Sequence, residues 1–217
     1  MLAPLYPILD IDLLTARSLD LSSIATVWQA AGVTLVQYRN KRGSARKMLR
    51  DAARIREIFP TNSGARLIFN DRPDLALLAR FDGVHVGQED VSAEDARSII
   101  GTTPWIGVST NSAEQVMEAD KTSCDYIAYG PIFPTASKIN PDSTVGLAGL
   151  RAARALTAKP LVAIGGITRR NCSSVIDAGA DSLAVISDLL PDDNNGNAHG
   201  KTARQIIEEF LAVLTKA

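Results

Sequence analysis

Eight short apolar runs, eight intervening stretches of helical periodicity, and a polar or glycine-bearing cluster at nearly every run's end predict an α/β protein, a (β/α)8 TIM barrel. The runs are residues 5–10, 35–39, 67–71, 83–87, 105–109, 126–130, 161–165 and 183–187, rich in Ile, Val, Leu and Tyr. Helices are expected between them. Residues 22–31 follow Asp20 and Ser22 as N-cap candidates and stop at Gly32, and 44–58 enter through Gly-Ser and stop before Pro60. The stretch 72–78 opens with Pro73, a favoured first-turn residue. Residues 92–99 open with Ser92 and carry Glu94 and Asp95 where the helix dipole favours acids. Segments 111–121, 147–156, 169–178 and 202–214 complete the outer ring. An open doubly wound sheet would need fewer strands and a glycine-rich turn after the first, and residues 5–14 contain no glycine. In a barrel the strand C-terminal ends carry the active site, so the polar endings of the runs are expected to face one mouth.

The chain has 217 residues, 46% of them hydrophobic, which suits one barrel domain over 1–217 with a sizeable core. No composition shift marks a boundary. The 23 basic residues nearly balance 24 acidic ones, giving a formal charge of −1, so no nucleic-acid partner is expected and affinity for anions must be local. No apolar run approaches a membrane span, and residues 1–14 carry Asp10 and Asp12 without a basic n-region. The expected location is cytoplasmic, with no membrane partner. Cys124 and Cys172 lack metal-like spacing and read as reduced structural thiols. With only two histidines, His85 and His199, a His-rich metal site or a Ser-His-Asp triad is disfavoured. Residues 134–145 form a long βα loop on the active face, where a lid is expected, and 191–200 read as a disordered spacer.

Chemistry-bearing residues collect at the run ends. Asp71 closes run three and Asp90 follows run four, so neighbouring strands bring two carboxylates toward one point, as a hydrated Mg2+ against a diphosphate requires. The competing role for each is a helix cap. Gln37, Arg39 and Lys41 alternate, which points them the same way, and with Lys138 they offer cations and a hydrogen-bonding amide to a charged phosphate. A solvated basic face is the plainer reading of such a cluster taken alone. Gly165-Gly166-Ile167 before a helix start, and Ile186-Ser187 after run eight, occupy the positions where this fold commonly holds phosphate. Ser109 and Thr110 either face a ligand or cap the helix at Asn111.

Taken in order, Gln37-Tyr-Arg39-Asn-Lys41, Asn70-Asp71, His85-Val-Gly-Gln88-Glu-Asp90, Gly107-Val-Ser109, Gly130-Pro-Ile-Phe-Pro-Thr135-Ala-Ser137-Lys138, Ala163-Ile-Gly-Gly-Ile and Ile186-Ser187 resemble the thiamine-phosphate synthase family. The resemblance implies a (β/α)8 barrel joining a hydroxymethylpyrimidine diphosphate to a thiazole phosphate with release of pyrophosphate. Its partners would be those two small phosphorylated molecules. It implies that Gln37, Arg39, Lys41, Asn70, Ser109 and Lys138 bind the pyrimidine diphosphate, and that Asp71 and Asp90 hold Mg2+. Thr135, Ser137, Gly165, Gly166, Ile186 and Ser187 would hold the thiazole phosphate. The chain departs from the family at Tyr38 and Asn40, which alternation points away from the site, at Ser137 in place of Thr, and at Asp188-Leu189. An acid at 188 would repel a phosphate unless it turns outward. A thiazole tautomerase on the same barrel would have His after run six, where this chain has Pro131, and a silent phosphate sensor would share the binding residues. Any exposed helix face is open to a homo-oligomeric contact.

Overall fold

The structure, a computed structural model, describes residues 2–135, 143–191 and 201–215. Eight parallel strands close into a barrel in chain order: β1 Leu5–Asp10, β2 Leu35–Arg39, β3 Arg66–Asn70, β4 Gly83–Val86, β5 Trp105–Thr110, β6 Tyr126–Tyr129, β7 Leu161–Ile164 and β8 Ser182–Val185. Every expected run is a strand, displaced by no more than two residues at either end. The outer helices are α1 Ile11–Ala16, α2 Leu21–Ala30, α3 Ala45–Ile58, α4 Pro73–Leu78, α5 Ala93–Ile100, α6 Ala113–Asp120, α7 Gly146–Arg154, α8 Cys172–Asp177 and α9 Ala203–Leu214. Among the described residues no helix is long and apolar enough to cross a membrane.

Strand alternation divides the core in two. Tyr6, Ile8, Leu35, Ile68, Tyr126, Ala128, Val162 and Ala184 fill the barrel interior. Leu9, Val36, Phe69, Val84, Ile106, Ile127, Leu161 and Leu183 point outward into the layer shared with the helices. Caps follow the sequence signals at several helices. The Asp20 side chain accepts from Ser23 N–H, Ser44 from Lys47, Ser92 from Asp95, and Thr202 with Gln205 closes a capping box.

Two elements differ from the sequence reading. The short α1 follows β1 directly because Asp10 caps it, accepting from Leu13 N–H at 2.9 Å, and one turn and a half is too short for periodicity to reveal. Helix α8 starts at Cys172 rather than 169. Asn171 ties down the preceding turn, its Oδ1 accepting from Thr168 N–H at 2.7 Å and its Nδ2 donating to Gly166 O at 3.0 Å.

The face opposite the strand ends is stitched by a repeated device. Asp82, Asp125 and Asp181, each just before an even-numbered strand, accept from the backbone N–H of Leu67, Ile106 and Leu161 at 2.7–2.8 Å. The same carboxylates receive Arg56, Arg97 and Arg154 from α3, α5 and α7. Polar groups on this face therefore serve the fold and leave the other mouth for chemistry.

Candidate active site

At the C-terminal ends of the strands lies a cavity of about 620 Å³. Gln37, Arg39, Lys41, Asn70, Asp71, Asp90, Ser109, Thr135, Gly165, Gly166, Ile186 and Ser187 all line it. Ser137 and Lys138 lie outside the described residues, as do most of the expected lid and all but the first residue of the expected 191–200 spacer.

The carboxylates meet. Just past β3 the backbone turns left-handed at Asp71, with φ +62°, held by its N–H donating to His85 O at 2.7 Å. That turn carries the side chain into the mouth, and α4 takes Arg72 as its N-cap with no side-chain cap bond. Asp90 does not cap α5 either; Ser92 does, while Asp90 Oδ2 accepts from Gly87 N–H at 2.8 Å. Burial raises the Asp71 pKa above its usual value, the Lys41 ammonium opposes the rise, and the touching carboxyl of Asp90 adds to it. Lys41 Nζ stands 2.5 Å from Asp71 Oδ2. The Lys41 cation thus sits on Asp71, beside Asp90, and the two acids are hard oxygen donors of the kind a divalent ion takes. Among the described residues no group of three or more His, Cys, Asp or Glu forms, so water and ligand oxygens would complete any coordination sphere here.

Arg39 is held by Asp10, whose side chain is 5% exposed. Sequence reading did not single out Asp10. Its signal was its place at the tip of β1, opposite Arg39 in the register. The neighbours that alternation sends outward behave so: Tyr38 Oη donates to Asp51 at 2.9 Å, and Asn40 bonds Tyr38 and the N–H of Gly43.

The cavity floor is a chain of buried polar groups that links the expected Gln37 and Ser109 through Tyr6, Tyr126 and His85, whose part sequence reading missed. Gln37 Nε2 reaches Tyr6 Oη at 2.9 Å, Tyr6 reaches Tyr126 Oη at 2.8 Å, and Tyr126 reaches His85 Nδ1 at 3.1 Å. His85 Nε2 then reaches Ser109 Oγ at 2.8 Å, so Ser109 serves the floor and Ser112 caps α6. Burial lowers the His85 pKa to about 4, which keeps the ring neutral near pH 7. Tyr6 and Tyr126 read as apolar strand residues. The available clue was Gly107, which pairs with Tyr126 in the register and leaves room for its ring. Beside this chain the Asn70 amide nitrogen is buried with no hydrogen-bond partner among the described residues, an unsatisfied donor at the cavity wall.

The β7 and β8 turns form the opposite wall. Gly165 and Gly166 have φ of +98° and +63°, and a Cβ there would lie 2.5 Å from Pro131 Cβ and 2.6 Å from Pro134 O. Glycine is thus needed so that the segment after β6, which delivers Thr135, can pack on this turn. Among the described residues the backbone N–H groups of Gly166 and Ser187 have no acceptor. Asp188 turns away from the mouth: its Oδ2 accepts from Arg169 N–H at 2.8 Å and Nε at 3.0 Å. Arg17 fixes the β8 turn from behind, donating to the carbonyls of Ser187, Leu190 and Pro191. The repulsion expected from residue 188 is thereby neutralised, and the two turns are clamped together.

With that geometry in place, comparison with known proteins is direct. The profile of the thiamine monophosphate synthase family matches residues 5–189. A thiamine-phosphate synthase of Koribacter versatilis (strain Ellin345) is 52% identical over 212 residues, spanning 97% of this chain and 95% of the relative. One from Chloroflexus aurantiacus is 40% identical over 190 residues, 88% of this chain and 86% of its own. Among solved structures, the thiamine phosphate pyrophosphorylase from Pyrococcus furiosus superposes with a TM-score of 0.80 at 32% identity, covering 98% and 95% of the two chains.

Proposed function

Because the chain is an enzyme of the thiamine monophosphate synthase family, we propose that it condenses 4-amino-2-methyl-5-hydroxymethylpyrimidine diphosphate with a thiazole phosphate, yielding thiamine phosphate and pyrophosphate. The observation that carries this reading is the convergence of an acid pair, two cations and two glycine- or serine-bearing turns on one cavity.

The chemistry asks for no protein nucleophile. The bond between the pyrimidine methylene carbon and the diphosphate oxygen breaks, pyrophosphate departs, and the ring-stabilised cation is attacked by the thiazole nitrogen. Charge stabilisation of the leaving group and alignment of two reactants are what the protein must supply. Arg39, aimed by Asp10, and Lys41, released from Asp71, meet the departing oxygens, and the unpartnered Asn70 amide donates beside them. Mg2+, held by Asp71 and Asp90, supplies further neutralisation of the diphosphate when bound. Gln37 and Ser109 address the pyrimidine from the floor. Thr135, Gly165, Gly166, Ile186 and Ser187 hold the thiazole phosphate, with unengaged N–H groups at Gly166 and Ser187 as donors. Ser137 and Lys138 take their roles from the family motif: Ser137 at the thiazole phosphate, Lys138 at the diphosphate. Two buried free thiols suit a reducing compartment, and we place the enzyme in the cytoplasm.

The test is pyrophosphate release on mixing the protein with both substrates and Mg2+. Asp71→Ala is expected to lower turnover by roughly 10²-fold or more with an unchanged circular dichroism spectrum. No pyrophosphate from the wild type, or a near-normal rate in the variant, would refute the assignment.

A further inference from the structure

We propose that Tyr6, Tyr126 and His85 are positioning residues whose buried hydrogen-bond chain runs in one direction, turning the Gln37 carbonyl and the Ser109 hydroxyl proton toward the cavity. The ring bound between them must then present a hydrogen-bond donor to Gln37 and an acceptor to Ser109. This inference rests on the activity proposed above and deepens it by assigning the polarity with which the pyrimidine is recognised.

The direction follows from counting protons. The Gln37 amide nitrogen faces Tyr6 at 2.9 Å and is a donor, so Tyr6 Oη accepts there and has one proton left to give. Its remaining partner is Tyr126 Oη at 2.8 Å. Tyr126 therefore accepts from Tyr6 and gives its own proton to His85 Nδ1 at 3.1 Å. A neutral imidazole carries one donor and one acceptor nitrogen. With Nδ1 accepting from Tyr126, the ring's one proton sits on Nε2, which donates to Ser109 Oγ at 2.8 Å. The Ser109 proton then has no acceptor among the described residues, and Ser109 lines the cavity. At the other end Gln37 Oε1 has no partner among the described residues and also belongs to the cavity wall.

The opposite direction fails at a definite link. A proton passed from Ser109 through His85 and Tyr126 would arrive at Tyr6 and meet the Gln37 N–H, two donors facing each other in a buried site. Tyr6 and Tyr126 are 1% and 0% exposed and His85 is 7% exposed, so water does not rescue a mismatched link. Edge-on packing of Tyr6 against Tyr126 and stacking of His85 on Tyr126, with centroids 5.9 and 5.6 Å apart, fix the rings that carry the chain.

The tautomer can be read directly. In the ligand-free full chain labelled with 15N-histidine, with His85 assigned by comparison with His85→Asn, Nδ1 is expected to resonate as an unprotonated nitrogen and Nε2 as a protonated one at neutral pH. Tyr126→Phe removes the donor to Nδ1, so the two tautomers should mix. Tyr6→Phe keeps that link and should leave the tautomer unchanged while freeing Gln37. Both variants should raise KM for the pyrimidine diphosphate about three- to tenfold, leave KM for the thiazole phosphate unchanged, and narrow the preference for the amino-pyrimidine over its oxo analogue by about tenfold. A proton on Nδ1 in the wild type would overturn the proposal, and so would undiminished ring discrimination in both variants. The tautomer is measured without turnover. A protonated Nε2 in a protein that releases no pyrophosphate keeps the chain polarity and removes the proposed activity, whereas normal turnover with a protonated Nδ1 removes the polarity alone.

Discussion

Gly107 is the position where one added methyl group should do the most damage for the least change in chemistry. A Cβ on this residue would overlap the Cζ, Cε2 and Oη atoms of Tyr126. Neither partner can step aside cheaply, since β5 is paired in register with both β4 and β6 and the Tyr126 ring is fully buried among interior side chains. Overpacking of this kind costs about 1–3 kcal/mol. Expelling the ring also breaks the Tyr6–Tyr126 and Tyr126–His85 hydrogen bonds, at about 0.5–1.5 kcal/mol each. Gly107→Ala should therefore lose about 4 kcal/mol, a large share of the roughly 5–15 kcal/mol that folded domains possess. In a chain of this length that corresponds to a fall in Tm of about 8–16 °C. Urea unfolding followed by circular dichroism gives the free-energy change. A double-mutant cycle with Tyr126→Leu tests its origin: without the ring neither the clash nor the two hydrogen bonds can be lost again, so most of that roughly 4 kcal/mol should return as coupling between the two sites. A loss below about 0.5 kcal/mol for Gly107→Ala, or strict additivity in the cycle, would show that the ring does not occupy the space the glycine leaves.

Two further outcomes follow from the same structure. His85 has its pKa lowered from 6.5 to about 4, so below its unfolded value the unfolded chain binds the extra proton and stability is lost as pH falls from about 6.5 toward 4. The full shift corresponds to on the order of 3 kcal/mol. Asp71, with its pKa raised, acts with the opposite sign at the acid end, so the His85 contribution is read as the difference between wild type and His85→Asn across that window. Equal pH slopes in the two proteins would contradict a buried neutral ring. On the opposite face, Asp125→Ala strands the Ile106 N–H and takes the counter-charge from Arg97, which keeps only its backbone carbonyl partners; it should cost about 2 kcal/mol in denaturant unfolding while leaving kcat at ambient temperature unchanged. A matching loss of activity would show that this acid serves more than the fold.

The strands, most of the helices and the strand-tip chemistry were legible from one sequence because each rests on local signals: apolar runs, cap residues, and a period of two that sends Gln37, Arg39 and Lys41 one way and Tyr38 and Asn40 the other. What was ambiguous locally became definite only through contacts distant in the chain. Asp71 and Asp90 read equally well as helix caps until Arg72 and Ser92 proved to occupy those positions. Asp188 read as a phosphate repellent until Arg169, on the neighbouring turn, took its charge. Gly165 and Gly166 looked suited to an approaching anion, and the structure adds a second demand from the Pro131–Pro134 backbone packed against them.

By itself the sequence determined the barrel, the face on which chemistry gathers and the residue types available there, since periodicity and capping act over a few residues. Tertiary structure alone decided which charges are already paired, that Tyr6 and Tyr126 are polar participants rather than plain core, and that His85 is sealed as a neutral ring. The physical reason is that desolvation and hydrogen-bond partnership depend on what surrounds a group in space. In a closed barrel those surroundings come from strands as far apart in the chain as β1 and β6.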